Sequence, residues 1–305
     1  MSINENRRIE INGVFQHITI LSQNRNLPLL VYVHGGPGDG ALPMLLKYQS
    51  ELADHYTFVI WEQRGAGKSY YAFGVNETVK IDDYVEDLHV LVGYLTKRFD
   101  QKQVYLLAHD TGTIIGLKYI MKYPETVKKY IGCSQVVNME KTMRLRLRYA
   151  IENSSKSVAN KLLQIDPTFS SPESMKDLNY LDKQITKLKG NLYNQKTTLS
   201  HQHIYLRCGF YTLFDYRRYL LGMEQTSAKL WKEIMTIDFE QVTKLPVPVV
   251  FVEGRHDKRL SSALARTYYD KLTSAKEWYW FERSSHFPQW CEPEAFNELM
   301  IRIKE

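Results

Sequence analysis

The sequence predicts an α/β fold in which helices cover both faces of a mostly parallel central sheet. Three observations lead to this prediction. Continuous apolar segments of strand length alternate with segments of helical periodicity, a helical and tyrosine-rich block interrupts that alternation once, and glycine-rich or polar loops follow several apolar segments. Uninterrupted apolar strands that alternate with helices are typical of parallel sheets buried on both faces.

The periodicity of the apolar residues predicts each element in turn. In the first half of the chain the predicted elements are strands at 14–22, 28–35 and 56–63, helices at 41–55 and 81–99, a strand at 103–108, a helix at 111–123 and a strand at 128–137. Towards the other end they are a strand at 247–254, a helix at 262–272, a strand at 277–282 and a helix at 292–305. This order predicts one sheet built from both ends of the chain.

The middle of the chain has a different pattern. From Asn138 to Asp238 the sequence contains helical segments and polar, tyrosine-rich connections, without β–α alternation. A chain of 305 residues, of which 44% are hydrophobic, is long enough for one large domain with an insertion. We therefore expect residues 1–137 and 239–305 to form the core and residues 138–238 to form an inserted helical cap.

Composition excludes several classes of function. The formal charge of +6 comes from 40 basic and 34 acidic residues spread along the chain, so we expect no nucleic-acid partner. No segment approaches the roughly 18 apolar residues of a membrane span, and the first residues lack the apolar part of a signal peptide. We expect a cytoplasmic protein without a membrane partner. The odd cysteine count predicts reduced, non-catalytic thiols at Cys133, Cys208 and Cys291.

The segment "LLAHDTG" contains the first candidate site. A buried strand ends there and a helix begins directly, which is the setting of the nucleophile elbow G-x-S-x-G. Ala108 and Gly112 are the small residues that such a tight turn needs, and Asp110 stands where the motif has its serine. Asp110 is therefore the candidate nucleophile, with a helix N-cap as the alternative interpretation.

Three further loops add candidate residues. Asp257 in "GRHD" and His286 in "SSHF" follow later strands, which completes the chain order nucleophile, acid, histidine. Asp257 as a helix cap and His286 as an ordinary loop histidine are the alternatives. The triad is favoured because its members all follow predicted strands, where open α/β sheets place their ligands. Candidate oxyanion-hole donors, partly from the loop "HGGPG", are the backbone N–H groups of Gly35, Gly36 and Thr111.

These motifs together resemble the α/β-hydrolase-fold superfamily. "HGGPG" followed by "WEQRGAGKS" is similar to the proline iminopeptidase branch, and "GRHD" and "HFPQWCEPEAF" fit its acid and histidine loops. The resemblance covers about two thirds of the chain and is weakest between 138 and 238, which corresponds to the helical cap of that family. It implies a hydrolase without a cofactor and a small-molecule substrate, but not which substrate, since this fold carries many chemistries.

The aspartate changes the chemistry that the resemblance implies. A carboxylate that attacks an amide has to form an anhydride while it expels an amine, so peptide hydrolysis through Asp110 is chemically implausible. A carboxylate does attack a strained or activated sp³ carbon and leaves an alkyl ester on the enzyme. His286, oriented by Asp257, then activates water for attack on that ester. This is the chemistry of epoxide hydrolases and haloalkane dehalogenases, whose elbows typically read H-D-W-G.

The resemblance to those two enzyme classes is partial. Thr111 replaces the tryptophan and Gly36 replaces the asparagine with which dehalogenases hold the halide, so dehalogenation is not expected. Epoxide hydrolases use cap tyrosines as proton donors to the epoxide oxygen. The predicted cap offers seven tyrosines as candidates, most of which we expect to be packing residues: Tyr149, Tyr180, Tyr193, Tyr205, Tyr211, Tyr216 and Tyr219.

Three other patterns carry no function in this interpretation. "GAGKSY" resembles the end of a phosphate-binding loop, but Glu62 stands where that motif has its first glycine. His201 and His203 lack the further ligands of a metal site, and no metal is expected. The basic cluster of Arg144, Arg146 and Arg148 is interpreted as a solvated helix face.

The sequence thus predicts a hydrolase that works through an aspartyl ester and acts on an epoxide-like substrate. Two alternatives remain. One is a proline iminopeptidase-like enzyme or esterase whose serine has been replaced by Asp110. The other is a non-catalytic protein that retains the small-molecule pocket. The sequence makes no prediction of the oligomeric state.

Overall fold

A computed structural model of the protein describes residues 2–170 and 174–304. Within these ranges it contains one eight-stranded sheet with the strand order β1-β2-β4-β3-β5-β6-β7-β8. The pairs β1–β2 and β2–β4 are antiparallel and all other pairs are parallel. The strands are β1 (Ile3–Ile11), β2 (Val14–Ser22), β3 (Leu29–Val33), β4 (Thr57–Glu62), β5 (Val104–His109), β6 (Val127–Cys133), β7 (Val249–Gly254) and β8 (Lys276–Phe281).

Helices connect and cover the strands, as the predicted fold class requires. In the described residues they are α1 (Leu42–Tyr48), α2 (Ile81–Phe99), α3 (Gly112–Lys122), α4 (Met139–Asn153), α5 (Lys156–Leu162), α6 (Ser174–Lys187), α7 (Leu199–Arg207), α8 (Leu213–Ile234), α9 (Ser262–Lys271), α10 (Pro288–Cys291) and α11 (Pro293–Arg302). The mostly parallel sheet with helices confirms the predicted α/β class.

Several elements differ from the sequence-based expectation, among them the strand predicted at 128–137, which ends at Cys133, and the helix predicted at 292–305, which ends at Arg302. The helix predicted at 41–55 ends at Tyr48, and a short 3₁₀ turn, Ser50–Asp54, follows it. The strand β1 was not predicted, because its sequence INENRRIEI lies partly in solvent at the sheet edge and is mostly polar. The last residue of the helix predicted at 292–305 lies outside the described residues.

Alternate residues of the central strands enter two apolar clusters on opposite faces of the sheet. In β3, Leu29, Val31 and Val33 join the cluster that contains residues of α2 and α3. Leu30 and Tyr32 join the cluster that contains residues of α1 and α11. This period of two is the geometry of a strand that is buried on both faces.

The parallel strands β3, β5, β7 and β8 all end at the same edge of the sheet. The loops that follow them therefore meet above this edge, where ligands bind in open α/β sheets. These loops carry "HGGPG", Asp110, Asp257 and His286, in that order. The topology thus explains how residues far apart in sequence reach one place.

Helices α4 to α8 lie between β6 and β7 in the chain, in the range 138–238. Helix α8 is in close contact with two loops of the sheet. A Cβ atom on Gly222 would lie 2.6 Å from the carbonyl oxygen of Gly65, and one on Gly38 would lie 2.6 Å from that of Gly222. Glycine at these positions lets the helix backbone contact the loop backbones directly.

Candidate active site

Asp110 lies at the tip of a tight turn between β5 and α3. Its φ angle is 52°, in the left-handed region that non-glycine residues seldom adopt. The Thr113 N–H donates to the Asp110 carbonyl oxygen at 2.9 Å, which closes the turn. A Cβ atom on Gly112 would lie 2.4 Å from the carbonyl oxygen of Val33, so this position requires glycine. The turn has the elbow geometry that the sequence predicts.

The structure brings Asp110, Asp257 and His286 together. His286 Nδ1–H donates to Asp257 Oδ2 at 2.9 Å, and His286 Nε2 lies 3.7 Å from Asp110 Oδ2. The three residues are only 5%, 2% and 0% exposed, respectively. The imidazole therefore lies between two carboxylates in a site shielded from bulk water.

Backbone groups hold the acid in position. Asp257 Oδ1 accepts the N–H groups of Arg259 at 2.8 Å and Leu260 at 2.9 Å, which leaves Oδ2 for the histidine. The N-cap of α9 is Ser261, whose hydroxyl accepts the Leu264 N–H. Asp257 therefore stabilises its own loop and does not cap α9.

The backbone of His286 is held just as tightly. Its carbonyl oxygen accepts the Ser134 hydroxyl at 2.9 Å and the His109 Nε2–H at 3.0 Å. Its N–H donates to the carbonyl oxygen of Asn191 at 3.1 Å. The histidine loop is thus tied both to the strands and to the connection after α6.

The "HGGPG" loop lies against the side chain of Asp110. The Gly36 N–H points at Asp110 Oδ2 across 3.4 Å. A Cβ atom on Gly35 would lie 2.6 Å from Asp110 Cβ, so only glycine permits this approach. Thr111 directly follows Asp110 as the N-cap of α3, without a side-chain cap hydrogen bond. The three predicted oxyanion-hole residues therefore lie at the elbow, and the Gly36 N–H is the group among them that contacts the Asp110 carboxylate.

Electrostatics favours an ionised Asp110 in the resting site. Burial opposes ionisation of this carboxyl, but His286 and Arg259 outweigh it and hold its pKa well below the usual range. Burial would lower the pKa of His286, yet the Asp257 and Asp110 carboxylates raise it overall. Burial lowers the pKa of the neighbouring His109 to about 4, so that ring stays neutral.

Two arginines near Asp110 were not among the predicted site residues. Arg259 Nη2 lies 3.8 Å from Asp110 Oδ2. Arg146 is only 5% exposed and pairs with Asp182 of α6, so its interpretation as part of a solvated face is wrong. Arg144 and Arg148 are exposed and each pairs with a glutamate four residues away on α4.

A sequence signal for the burial of Arg146 exists. Positions two apart on a helix point in nearly opposite directions, so Arg146 cannot share a face with Arg144 and Arg148. Its neighbours at four residues, Thr142 and Ala150, offer it no charge. No comparable signal in the sequence identifies Arg259.

A family model for the α/β hydrolase fold matches residues 28–293. The chain belongs to the α/β-hydrolase fold family. It is 27% identical to YbaC, a probable aminopeptidase of Bacillus subtilis, over 97% of this chain and 95% of that protein. It is therefore a hydrolase-family protein with an aminopeptidase-like relative.

Solved structures share the fold of this α/β hydrolase. The proline iminopeptidase of Mycobacterium smegmatis superposes with a TM-score of 0.69 at 13% identity, over 98% of this chain and 97% of that one. An epoxide hydrolase of Bacillus megaterium, solved with an inhibitor, has a TM-score of 0.60 at 18% identity, over 98% and 100% of the two chains. At these identities the likeness shows the fold alone.

The seven candidate tyrosines of this α/β hydrolase fall into separate environments. Tyr205 and Tyr219 stack with ring centroids 4.7 Å apart, and both lie near Asp39 of the loop after β3. Burial and the Asp110 charge raise the pKa of Asp39 to about 6. The Tyr211 hydroxyl donates to the buried carboxylate of Glu62.

The other tyrosines have different neighbours. Tyr216 packs beside the stacked pair, Tyr149 contacts Lys258, Tyr180 contacts Lys161, and Tyr193 packs on His256. Tyr205 and Tyr219 are thus the two candidates that are stacked on each other and linked to the loop beside Asp110. No sequence feature distinguishes them from the rest.

The remaining predicted patterns lie apart from this site or pack around it. His201 lies edge-on to Phe287 and Trp290, and burial lowers its pKa to about 4. Within residues 2–170 and 174–304, no three histidine, cysteine or acidic side chains form a group that could hold a metal ion. None of the described helices has the length and apolar character to cross a membrane.

Proposed function

We propose that this α/β hydrolase attacks an sp³ carbon of an epoxide-like substrate with Asp110, forms an alkyl-enzyme ester and hydrolyses it with Asp257 and His286. The observation that carries the proposal is the position of His286 between two carboxylates. One ring nitrogen is bound to Asp257 at 2.9 Å. The other, Nε2, points towards Asp110 and has no hydrogen-bond partner among the described residues, which suits a nitrogen that binds water during turnover.

In the first step, Asp110 Oδ1 attacks one carbon of the epoxide ring. A new C–O bond forms, the strained C–O bond breaks, and its electron pair stays on the ring oxygen. Oδ2 remains near the Gly36 N–H, at 3.4 Å in the resting site. The low pKa of Asp110 keeps it ionised, and thus nucleophilic, over the physiological pH range.

A proton donor is needed at the ring oxygen in that step. Tyr219 and Tyr205 are the proposed donors, because they lie at the Asp39 side of the site. Asp39 becomes partly protonated near pH 6 and can return the proton to the tyrosine. The helical segment 138–238 acts in this proposal as the cap that supplies both hydroxyl groups.

In the second step, water hydrolyses the ester. His286 Nε2 takes a proton from water, and the hydroxide adds to the ester carbonyl carbon of Asp110. As the adduct collapses, the C–O bond to the alkyl group breaks and the protonated His286 gives that proton to the leaving oxygen, which departs as the alcohol. The N–H groups of Gly36 and Thr111 stabilise the charge on Oδ2 in the adduct. Ester formation also removes the Asp110 charge, one of the causes of the raised pKa of His286. The first step therefore favours the neutral form of His286, which is the form that can accept a proton in the second.

The experiment that tests this proposal is trapping of the ester. His286→Gln should still be alkylated by a reactive epoxide from a panel of aliphatic and aromatic epoxides, but should not release product. Intact-protein mass spectrometry should show the added mass of one epoxide, and peptide mapping should assign it to Asp110. A double variant, His286→Gln with Asp110→Asn, should show no addition. Turnover by the native enzyme without any adduct on His286→Gln would contradict the proposal.

A second function is favoured by the relatives. The probable aminopeptidase of Bacillus subtilis and a proline iminopeptidase of Heyndrickxia coagulans, 22% identical to this chain, support a peptidase-like enzyme in which Asp110 replaces a serine. In that case Asp110→Ser should gain hydrolysis of proline arylamides or short esters, with the wild-type protein as the control. No gain in either activity would exclude this alternative.

A further inference from the structure

Two arginines beside the nucleophile share one structural carboxylate. Arg259 Nη1 lies 3.3 Å from Asp182 Oδ1, and Arg146 Nη2 contacts the same oxygen. The other carboxylate that Arg259 approaches is Asp110, 3.8 Å from its Nη2. When Asp110 becomes an uncharged ester, the two guanidinium groups retain a single negative partner in this cluster. The cluster then has one positive charge in excess beside the reacting carbon.

The Arg146 guanidinium has donors that the described residues do not use. The side chain is 4% exposed, and its Nε–H has no hydrogen-bond partner among those residues. Its Nη1 donates a weak hydrogen bond to the sulfur of Met143, at 3.8 Å. Buried arginine donors without partners are costly, because they lose their hydration without a replacement. A ligand anion is the simplest partner for such a group.

A cavity adjoins these donors. It has a volume of about 250 Å³ and lies between α4 and the loop after β7. Arg146 lines it together with Asp257, Lys258 and the hydroxyl residues Thr142 and Ser261. It thus reaches from the buried guanidinium of Arg146 to Asp257 and has room for a small acid, whereas Arg259 and Asp110 lie outside its lining.

We propose that Arg259 and Arg146 bind a carboxylate group of the substrate beside Asp110. The assignment of this carboxylate to a substrate rests on the proposed function, but its binding to the resting protein relies on the unpartnered donors of Arg146 and not on the loss of the Asp110 charge. The planar guanidinium groups match the two oxygens of a carboxylate, and the buried setting strengthens the charge-assisted hydrogen bonds. The substrate class is therefore a small carboxylic acid that carries its reactive carbon close to the carboxylate.

A binding experiment with matched probes tests this inference. 3-Phenylpropanoate and 3-phenylpropanamide have nearly the same shape and differ in charge. Isothermal titration of the wild-type protein at neutral pH should show tighter binding of the acid. Arg259→Gln should weaken binding of the acid by about 10- to 100-fold, the loss of a charge-assisted hydrogen bond, and change binding of the amide little. Arg259→Lys, which keeps the charge without the fork, should lie between the two.

The matched control is Arg144→Gln on the exposed face of α4. It removes the same charge close to Arg146 in sequence, but Arg144 does not line the cavity and pairs with Glu140, so the affinity for the acid should stay unchanged. No binding of the acid, equal binding of both probes, or equal losses in Arg144→Gln and Arg259→Gln would overturn the inference. If the acid binds through Arg259 but no ester on Asp110 can be trapped, the anion site is supported and the proposed reaction is rejected.

Discussion

The loops at the strand ends and the helices α4 to α8 contribute to the same site in different ways. The loops place their side chains through backbone contacts, such as the N–H groups of Arg259 and Leu260 on Asp257 and the carbonyl oxygen of His286 held by Ser134. Helices α4 and α6 contribute through side-chain contacts, such as the Asp182 contacts of Arg146 and Arg259.

This difference predicts separate roles for the two regions, one in the reaction and the other in the choice of substrate. Backbone contacts at strand ends depend on the topology, so they persist when side chains elsewhere change. Side-chain contacts between helices change with each substitution. We therefore expect the core loops to determine the type of chemistry, whereas the helical segment determines which molecule reaches Asp110.

The largest expected effect comes from the core side of this comparison. Asp110→Asn should reduce epoxide turnover by at least about 10³-fold, because the amide is not a nucleophile. Asparagine tolerates the left-handed φ of 52°, so the fold should persist. Initial rates and thermal melts check both points.

Asp100→Asn is the matched control for that substitution. Asp100 is exposed and has a similar φ of 54° at the end of α2. Its turnover should equal that of the wild-type protein. Unchanged turnover in Asp110→Asn would show that the elbow carboxylate does not attack the substrate, and the core would lose its proposed role in chemistry.

The contact between the core and α8 predicts the next largest effect. In Gly222→Ala the new methyl group would lie 2.6 Å from the Gly65 carbonyl oxygen, so the free energy of unfolding should fall by about 1–3 kcal/mol. Gly93→Ala on α2 has open space around the new methyl group and should gain about 0.5–1 kcal/mol from helix propensity. Urea unfolding measures both values. If Gly222→Ala is instead stabilising, the backbone of α8 is not in close contact with the core loops.

A smaller effect is expected at Glu62, where the core meets Tyr211. Burial raises the pKa of Glu62 from 4.5 to about 7. Because the folded state disfavours the ionised form, the contribution of Glu62 to stability is largest below pH 4.5 and declines as the pH rises to about 7. Glu62→Gln cannot ionise, so its Tm relative to wild type should rise by roughly 2–4 °C between pH 5 and pH 8.

The exposed Glu298 of α11 supplies the control for the pH series. The Tm of Glu298→Gln relative to wild type should be the same at both pH values, because this carboxylate is in solvent. If the Tm of Glu62→Gln relative to wild type is also the same at pH 5 and pH 8, burial does not disfavour the charged form of Glu62. The contact between Tyr211 and the core would then be insensitive to pH.

The core of the fold was largely predictable from sequence, and the missed strand β1 shows where such predictions fail. Apolar runs such as 103–108 fix strands that are buried on both faces, whereas β1 has solvent on one side. Its hairpin with β2 does have a local signal. Asn12 and Gly13 both have positive φ, 48° and 76°, as a tight two-residue hairpin turn requires.

The candidate site was predictable where topology alone brings residues together. Asp110, Asp257 and His286 each follow a strand, so their proximity depends only on the order of the sheet. The positions of Arg146 and Asp182 depend on how α4 and α6 pack, which a local pattern of apolar residues does not contain. The partner that a buried charged residue finds on another helix is therefore the feature that sequence patterns miss.

The most direct test of the account is a single turnover in oxygen-18 water with enzyme in excess over an epoxide that the protein hydrolyses. Water attacks the Asp110 ester carbonyl in the proposed mechanism, so the label should enter the carboxylate of Asp110. Peptide mass spectrometry should find it there, while the first product carries oxygen from Asp110. Label in the product and none in the Asp110 peptide would contradict the aspartyl-ester mechanism.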